Sequence, residues 1–210
     1  MELLSISKLF GLCVFAYLLG SIPWGLILTK KFAAVDIRQK GSGNIGAANV
    51  TRIAGLKFGL LTLAGDALKG AFPVWLAVMV ADSNDFRNEI AISLVALSAL
   101  AGHLYPIYLK CKTGGKGVAT AAGCFLVISP VAFAIMVPIF IIILCWSKRV
   151  SAGSLAAAAL LPFAVWLFTF SKIMTGCAVV TTILIFFRHM NNITRLLSGT
   201  EPVIWGKRGK

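Results

Sequence analysis

Two glycine-rich loops that carry cations lie at the ends of long apolar stretches. The first reads Gly41-Ser-Gly-Asn-Ile-Gly-Ala-Ala-Asn49 and is followed by Arg52; the second reads Thr113-Gly-Gly-Lys-Gly117. Glycines allow backbone N–H groups to turn inward around an oxyanion, and lysine and arginine supply the positive charge that phosphate binds. The two loops therefore predict chemistry on a phosphorylated substrate beside a membrane.

The first loop contains the spacing G-x-G-x-x-G, but we do not predict a dinucleotide site. That fingerprint requires a preceding buried strand in a βαβ unit, whereas a short polar connection precedes this loop. Ser42 and Asn44 can instead cap a helix or bind a ligand, and Asn49 and Arg52 would lie one helical turn apart. The alternative is a tight turn between helices, with Arg52 contacting lipid headgroups.

The second loop is not a Walker A motif, because position 110 is lysine and no serine or threonine follows Lys116. Its glycines are Gly114, Gly115 and Gly117, and a helix is predicted to begin at Val118. The N-terminus of a helix presents free N–H groups and a partial positive charge, which favours phosphate binding. The alternative is a cytoplasmic turn whose lysine only sets the membrane orientation.

A third polar motif, Arg188-His-Met-Asn-Asn-Ile-Thr-Arg195, follows the last apolar run. On a helix, His189, Asn192 and roughly Arg195 share one face. Imidazole, amide and guanidinium groups together suit a small polyol phosphate, although a solvated helix end with basic anchors would look similar. Ser154, after Lys148 and Arg149, can either cap a helix or reach a ligand hydroxyl, and the same holds for Ser151.

Ionisable residues also occur inside apolar runs. Asp66 and Lys69 have i,i+3 spacing, which permits a salt bridge on one helix face. Such a pair is costly in a membrane unless it is paired or faces a wet cavity. We expect it to support the site, with direct ligand contact as the alternative, and we expect a structural, hydrogen-bonded role for His103.

The composition predicts an integral membrane protein with a single domain, 1–210. Hydrophobic residues make up 59% of the chain and charged residues 13%, against about a quarter charged in soluble domains. The net charge of +13 does not predict nucleic-acid binding, because the basic residues lie between apolar runs and not on a helix face interleaved with aromatics. That placement follows the positive-inside rule.

Apolar runs predict an all-α helical bundle with about seven membrane helices. They lie near 9–29, 58–81, 90–109, 118–128, 131–146, 153–171 and 173–187. The run 118–128 is short and is followed by Ser129-Pro130, so five crossings plus a re-entrant hairpin is the alternative. Seven crossings place most basic connections and the tail (Lys207, Arg208, Lys210) on one side.

The opposite side receives four carboxylates: Glu2, Asp82, Asp85 and Glu89. The charge asymmetry predicts an outside N-terminus, a cytoplasmic C-terminus and cytoplasmic glycine-rich loops with either helix count.

Five scattered cysteines, without a Cys/His cluster, predict packing residues and no metal site. The G-x-S-x-G and H-E-x-x-H motifs are absent from the sequence, which disfavours a serine nucleophile or a metal hydrolase. We expect no cofactor.

Taken together, these motifs closely resemble the bacterial acyl-phosphate:glycerol-3-phosphate acyltransferase family (PlsY). The resemblance covers nearly the whole chain and is carried by Gly20-Ser-Ile-Pro-Trp-Gly25, Asp36-Ile-Arg, the first glycine-rich loop with Asn49 and Arg52, Gly65-Asp-Ala-Leu-Lys-Gly70, Gly102-His with Pro106, Gly114-Gly-Lys-Gly-Val-Ala-Thr120, and His189 with Asn192-Ile and Arg195. One departure is Ala48, where the family pattern has threonine, so a hydroxyl donor is lost there.

The resemblance implies acyl transfer from acyl-phosphate to the sn-1 hydroxyl of glycerol-3-phosphate, yielding lysophosphatidic acid and phosphate at the inner membrane of a bacterium. It implies that glycerol-3-phosphate is held by Ser42, Arg52, Lys116, Ser154, His189 and Asn192. The glycine loops, including Gly43, Asn44, Asn49, Gly114, Gly115 and Gly117, would hold the acyl-phosphate.

Ser42, Arg52, Lys116 and His189 are the candidate catalytic residues. Either His189 or the donor phosphate would take the proton, and we favour the phosphate because no carboxylate is placed to orient His189. The expected partners are the two substrates and membrane lipid, with functional coupling to the enzyme that makes acyl-phosphate. A transporter of small organic phosphates is the competing hypothesis, because it would also use basic cytoplasmic loops.

Overall fold

The computed structural model describes residues 6–81, 86–112 and 114–204. Within these ranges the chain forms ten α-helices and no strand, which confirms the predicted all-α fold. The helices are α1 (Ile6–Gly20), α2 (Trp24–Phe32), α3 (Ala47–Ala54), α4 (Leu56–Val80), α5 (Phe86–Leu104), α6 (Val118–Ile128), α7 (Pro130–Ser147), α8 (Val150–Thr169), α9 (Lys172–Arg188) and α10 (Met190–Leu197).

Among the described residues, five helical segments are long and apolar enough to cross a membrane, and a sixth is added if α9 and α10 form one span bent by 63°. The five are Ile6–Phe32 (α1 with α2), Leu56–Val80, Phe86–Leu109, Pro130–Ser147 and Val150–Thr169. The polytopic helical bundle is thus confirmed. The count of seven and the orientation of the termini stay predictions, because α6 has 11 residues, fewer than the roughly 17 that a span requires.

Several sequence predictions lie outside the described residues. They concern the acidic residues Glu2, Asp82 and Asp85, Thr113 of the second loop, and the basic tail residues Lys207, Arg208 and Lys210.

Proline residues lie at two helix breaks, of which the sequence predicts the one at Ser129-Pro130; the break before α2, inside the predicted run 9–29, is not predicted. Pro23 precedes α2, and Pro130 occupies the first turn of α7, where its missing N–H is not needed by the helix. Gly25, near the start of the short helix α2, packs against the Ile45 carbonyl of the first glycine-rich loop, and α6 begins directly after the second loop.

Small residues bring α4 and α6 into close contact. A Cβ atom on Gly70 would clash with the carbonyl oxygen of Thr120, and one on Gly123 would clash with that of Ala67. Membrane helices commonly pack in this way, because lipid supplies little hydrophobic drive for association. This contact fixes α6, which begins at the second glycine-rich loop, against α4, which carries Asp66 and Lys69.

Candidate active site

Asn49 is the centre of the first glycine-rich loop. Its side chain is buried, and its Nδ2 donates to the carbonyl oxygens of Ile37 (3.2 Å), Lys40 (3.1 Å) and Asn44 (2.9 Å). Its Oδ1 accepts from the Ser42 N–H (3.0 Å). These contacts engage both its amide nitrogen and its oxygen, so Asn49 determines the shape of the loop.

Two glycines and Asn44 complete this loop. Gly41 and Gly43 have φ of +61° and +69°, a left-handed conformation that favours glycine. The Oδ1 of Asn44 accepts from the Gly46 N–H (2.8 Å) immediately before α3. The side chain of Asn44 therefore caps the turn that leads into α3, and Ser42 lies exposed at the edge of the loop.

Arg52, near the end of α3, points toward the C-terminal segment. Its Nη2 donates to the Pro202 carbonyl oxygen (3.5 Å), while its Nε is buried and has no hydrogen-bond partner in the described part of the chain. Burial lowers the pKa of Arg52, and the nearby Glu201 carboxylate opposes this shift. A guanidinium group with an unused buried donor is suited to bind an anion.

The second glycine-rich loop is packed against the end of α5. The Gly115 N–H donates to the His103 carbonyl oxygen (3.1 Å). A Cβ atom on Gly115 would clash with the His103 ring, and one on Gly114 would clash with the Leu104 carbonyl. Only glycine allows this approach, so packing alone requires glycine at both positions.

Lys116 projects from this loop. It lies near Arg52, Arg188, Arg195 and Glu201, and burial lowers its pKa to about 8. The Glu201 carboxylate opposes this effect, whereas the three guanidinium groups add to it. Lys116 is thus mostly protonated at neutral pH and can lose its proton in mildly alkaline solution.

His189, between α9 and α10, has a defined tautomer. Its Nδ1 lies 2.8 Å from the Ile185 carbonyl oxygen. Since a carbonyl only accepts, Nδ1 carries the proton and Nε2 is left as an acceptor. Burial, together with the charge of Lys116, lowers the pKa of His189 to about 4, so the imidazole is neutral at pH 7 and able to accept a hydrogen bond from a hydroxyl group.

Glu201 is a site residue that the sequence analysis missed. Its Oε1 accepts from Ser151 Oγ (2.6 Å) and Asn192 Nδ2 (2.6 Å), and its Oε2 accepts from Arg195 Nε (2.7 Å). Although burial raises the pKa of Glu201, these hydrogen bonds outweigh burial and hold it below its usual value. The one available signal was that Glu201 is the only carboxylate after Glu89.

The segment after α10 folds back to deliver this carboxylate. Arg149 donates to the carbonyl oxygens of Glu201 (3.2 Å) and Gly199 (3.3 Å), and the Ile204 N–H donates to the Lys148 carbonyl (2.9 Å). The start of α8 and the C-terminal segment are thus joined. Ser154 lies buried on α8, one turn beyond Ser151.

The structure brings together one cation from each of the three predicted motifs, while a place for Ser42, Gly43 and Asn44 at this cluster stays a prediction. Arg52 from the first loop, Lys116 from the second and Arg195 from the third are close enough for their charges to influence one another, with Glu201 among them. His189 and Asn192 belong to the same cluster through Lys116 and Glu201. Positive charge exceeds negative charge here, which favours an anionic ligand.

Asp66, Lys69 and His103 form a buried polar group behind the second loop. Lys69 Nζ lies 2.8 Å from Asp66 Oδ1 and donates to the Ile22 carbonyl oxygen (2.8 Å), while His103 Nδ1 lies 3.7 Å from Asp66 Oδ1. The lysine thus also stabilises the break between α1 and α2. This placement fits the structural role predicted for the Asp66–Lys69 pair. His103 is buried beside the pair, but its Nδ1 has no hydrogen-bond partner in the described part of the chain, so the predicted hydrogen bond is not seen at that atom.

Comparisons with known proteins agree on one family. Residues 10–199 match the family described as glycerol-3-phosphate acyltransferase. A relative from Syntrophotalea carbinolica with that name is 47% identical over 186 residues, 89% of this chain and 92% of the relative. One from Geotalea daltonii is 45% identical over 192 residues, 91% of this chain and 95% of the relative.

The solved structures that match are similar over almost their full length. The glycerol 3-phosphate form of PlsY (YgiH), described as an integral membrane glycerol 3-phosphate acyltransferase, is 36% identical with a TM-score of 0.88, covering 95% of this chain and 96% of that one. Its lysophosphatidic acid form is 35% identical with a TM-score of 0.86, covering 93% and 95%.

Proposed function

Because the chain belongs to the glycerol-3-phosphate acyltransferase family, we propose that it transfers a fatty acyl group to the sn-1 hydroxyl of glycerol-3-phosphate. The product is lysophosphatidic acid, the first acylated intermediate of phospholipid synthesis. The observation that carries this proposal is the convergence of Arg52, Lys116 and His189: two cations suited to a phosphate lie beside a neutral imidazole suited to a hydroxyl.

The proposed acyl donor is acyl-phosphate. An acyl-phosphate and glycerol-3-phosphate together bring two phosphate groups, and the cluster offers Arg52, Lys116, Arg188 and Arg195 against one carboxylate. This excess of positive charge supports a site for two anions better than a site for one. The two glycine-rich loops precede α3 and α6, which both pack against α4, and two such loops also suit two phosphates.

Each sequence-predicted residue has a proposed role. Side chains would hold glycerol-3-phosphate, with His189 Nε2 and Asn192 Oδ1 accepting from its hydroxyl groups, because the other polar atoms of these two residues are already bound. The residues proposed to bind glycerol-3-phosphate are Ser42, Arg52, Lys116, Ser154, His189 and Asn192. The N–H groups of Gly114, Lys116 and Gly117 would bind the acyl-phosphate. Those of Gly43 and Gly115 already donate to the Lys40 and His103 carbonyl oxygens, so these two glycines would hold the loops in shape. Asn44 and Asn49 would act by shaping their loop.

The proposed reaction needs no covalent enzyme intermediate, because acyl-phosphate is an activated mixed anhydride. The sn-1 oxygen attacks the acyl carbonyl carbon, the bond between that carbon and the phosphate oxygen breaks, and phosphate leaves with the hydroxyl proton. Alignment of the two substrates can contribute about 7–11 kcal/mol, and preorganised donors to the carbonyl oxygen add about 3–4 kcal/mol.

We place the active site on the cytoplasmic face of the bacterial inner membrane. Support comes from the basic connections between spans, which follow the positive-inside rule, and from the apolar helices that flank the site. On that face a water-soluble glycerol-3-phosphate and a membrane-held acyl-phosphate can both reach the loops. An enzyme that produces acyl-phosphate would then be a functional partner.

His189→Ala tests which group takes the proton. A general base contributes about 10²–10⁴-fold to the rate, but the low pKa of His189 makes it a weak base. We expect His189→Ala to raise KM for glycerol-3-phosphate and to lower kcat at saturating substrate less than tenfold. Steady-state kinetics check this, and a kcat loss of 10²-fold or more would favour histidine as the base over the donor phosphate.

The pKa of Lys116 predicts an alkaline limb in the pH profile. Phosphate binding requires its protonated form, so kcat/KM should fall as pH rises through about 8, by about tenfold per pH unit beyond it. Arginine does not titrate in this range. Lys116→Arg should have a lower kcat/KM, because guanidinium and ammonium groups differ in geometry. Its kcat/KM should not decline near pH 8. The same alkaline decline in both proteins would contradict the assignment of this limb to Lys116.

The proposed function is tested with purified protein, acyl-phosphate and glycerol-3-phosphate, by measuring phosphate release and lysophosphatidic acid. Acyl-CoA in place of acyl-phosphate tests the choice of donor. No product with either donor would refute the proposal. Uptake of glycerol-3-phosphate into vesicles without consumption of acyl-phosphate would instead support the transporter.

A further inference from the structure

Arg188, the last residue of α9, holds the second glycine-rich loop by its backbone. Its Nε donates to the Gly115 carbonyl oxygen (3.1 Å), and its Nη2 donates to the Gly114 carbonyl oxygen (2.8 Å). The guanidinium group also lies over the Tyr105 ring, 5.6 Å from its centroid. Arg188 forms no ion pair with a carboxylate among the described residues, so these two carbonyls are its principal polar contacts.

The two hydrogen bonds determine which way the loop peptides face. In a planar trans peptide the N–H points opposite to the C=O. Because the Gly115 carbonyl points toward Arg188, the Lys116 N–H points away from it. This N–H has no backbone acceptor within the described ranges, whereas the preceding N–H, of Gly115, donates to the His103 carbonyl oxygen. The loop thus has its carbonyls bound on one side and a free N–H on the other.

The sequence position of Arg188 links the loop to the imidazole. Arg188 and His189 are consecutive residues, and His189 is held to α9 through the Ile185 carbonyl. A shift of the loop relative to α9 would therefore alter the distance between a phosphate in the loop and a hydroxyl at His189. Small errors in the alignment of two reacting groups have large effects on rate.

We propose that Arg188 is a positioning residue, which keeps the Gly114–Gly117 loop turned toward its anion and aligned with His189. The inference rests on the proposed function, since it concerns the alignment of the two substrates. Arginine suits this role because its planar fork donates two hydrogen bonds in a fixed geometry, whereas lysine is a single mobile charge. The hydroxyl and phosphate need not touch Arg188 for it to act in this way.

The test compares Arg188→Ala and Arg188→Lys with the wild-type enzyme in the acyltransferase assay. We expect Arg188→Ala to lower kcat with both substrates saturating by about 10- to 100-fold. The fall in kcat should be smaller for Arg188→Lys, because lysine can keep one of the two hydrogen bonds. Added guanidinium ion should restore part of the activity of Arg188→Ala, because it can occupy the vacated place and donate to the same carbonyls.

Lys57→Ala is the matched control, since it removes one positive charge from an exposed residue at the start of α4. It should retain wild-type kcat and should not respond to guanidinium. The inference is overturned if Arg188→Ala stays within twofold of wild-type kcat, or if both Arg188 variants lose thermal stability and activity equally without guanidinium rescue. An inactive wild-type enzyme would instead refute the proposed function, so the two failures are distinguishable.

Discussion

We expect Asp66→Ala to lower the free energy of unfolding by about 3–5 kcal/mol. The carboxylate is buried beside Lys69, with 2.8 Å between Asp66 Oδ1 and Lys69 Nζ. Its removal leaves the ammonium group without a counter-charge, and the remaining hydrogen bond to the Ile22 carbonyl does not neutralise it. His103 also loses its only nearby carboxylate among the described residues.

Thermal unfolding in detergent, followed by tryptophan fluorescence, measures this effect. For a protein of this size the loss corresponds to a fall in midpoint of about 6–20 °C. Asp36→Ala is a suitable control, because Asp36 pairs with Lys30 and Arg38 at the surface, and exposed ion pairs contribute about 1 kcal/mol or less. The midpoint of thermal unfolding should fall much less in Asp36→Ala than in Asp66→Ala.

The double variant Asp66→Ala with Lys69→Met separates the pair from its surroundings. Replacing both partners of a buried ion pair by apolar groups is often neutral, whereas removing one partner is not. We therefore expect the double variant to be more stable than Asp66→Ala alone. If the two single losses simply add in the double variant, the residues do not interact and the pair is not a structural unit.

The helices were largely predictable, because apolar runs interrupted by charge and proline have few alternatives. The break at Pro130 occurs where the sequence predicts it, whereas the break before α2, inside the predicted run 9–29, was not expected. The number of crossings was less predictable, because the short helix α6 and the bend between α9 and α10 depend on packing against α4 and α8. Hydrophobicity along the chain does not contain that information.

The residues of the candidate site stay predictions, and several of their contacts could not be predicted from the sequence. Asn49 was predicted to bind substrate, yet its hydrogen-bonding atoms contact the loop backbone. Glu201 was missed because it joins Ser151 and Asn192 only when the segment after α10 folds back onto α8. Arg188 has no role of its own in the sequence-based prediction, because its carbonyl acceptors lie more than 70 residues away in the sequence.

Glu201→Ala should cause the largest loss of activity among the variants outside the proposed substrate contacts. Without this carboxylate, Asn192 and Arg195 lose their acceptor, and the surrounding cations lose the one negative charge placed among them. The Asn192 amide can then rotate, so its Oδ1 no longer faces a fixed direction. We expect kcat/KM for glycerol-3-phosphate to fall by about 10²–10³-fold, comparable to the loss of a preorganised donor.

Thr200→Ala is the matched control, because Thr200 precedes Glu201 in the same segment and its exposed hydroxyl is hydrogen-bonded to Ser198 Oγ (2.8 Å). It should keep nearly wild-type kinetics. Glu201→Gln should have a kcat/KM between those of Glu201→Ala and the wild type. Its amide oxygen can still accept from Asn192, but its amide nitrogen would face the Arg195 donor.

The pH profile distinguishes this role of Glu201 from simple destabilisation of the fold. The negative charge of Glu201 raises the pKa of Lys116, against burial and three nearby guanidinium groups. Removing that charge must lower the pKa of Lys116 below about 8, so the alkaline decline of kcat/KM should begin at a lower pH in Glu201→Ala and Glu201→Gln than in the wild type. Thr200→Ala should keep the wild-type limb. A variant that is merely less stable would lose activity without moving this limb, and an unchanged limb in both Glu201 variants would show that the carboxylate does not hold the charge of Lys116.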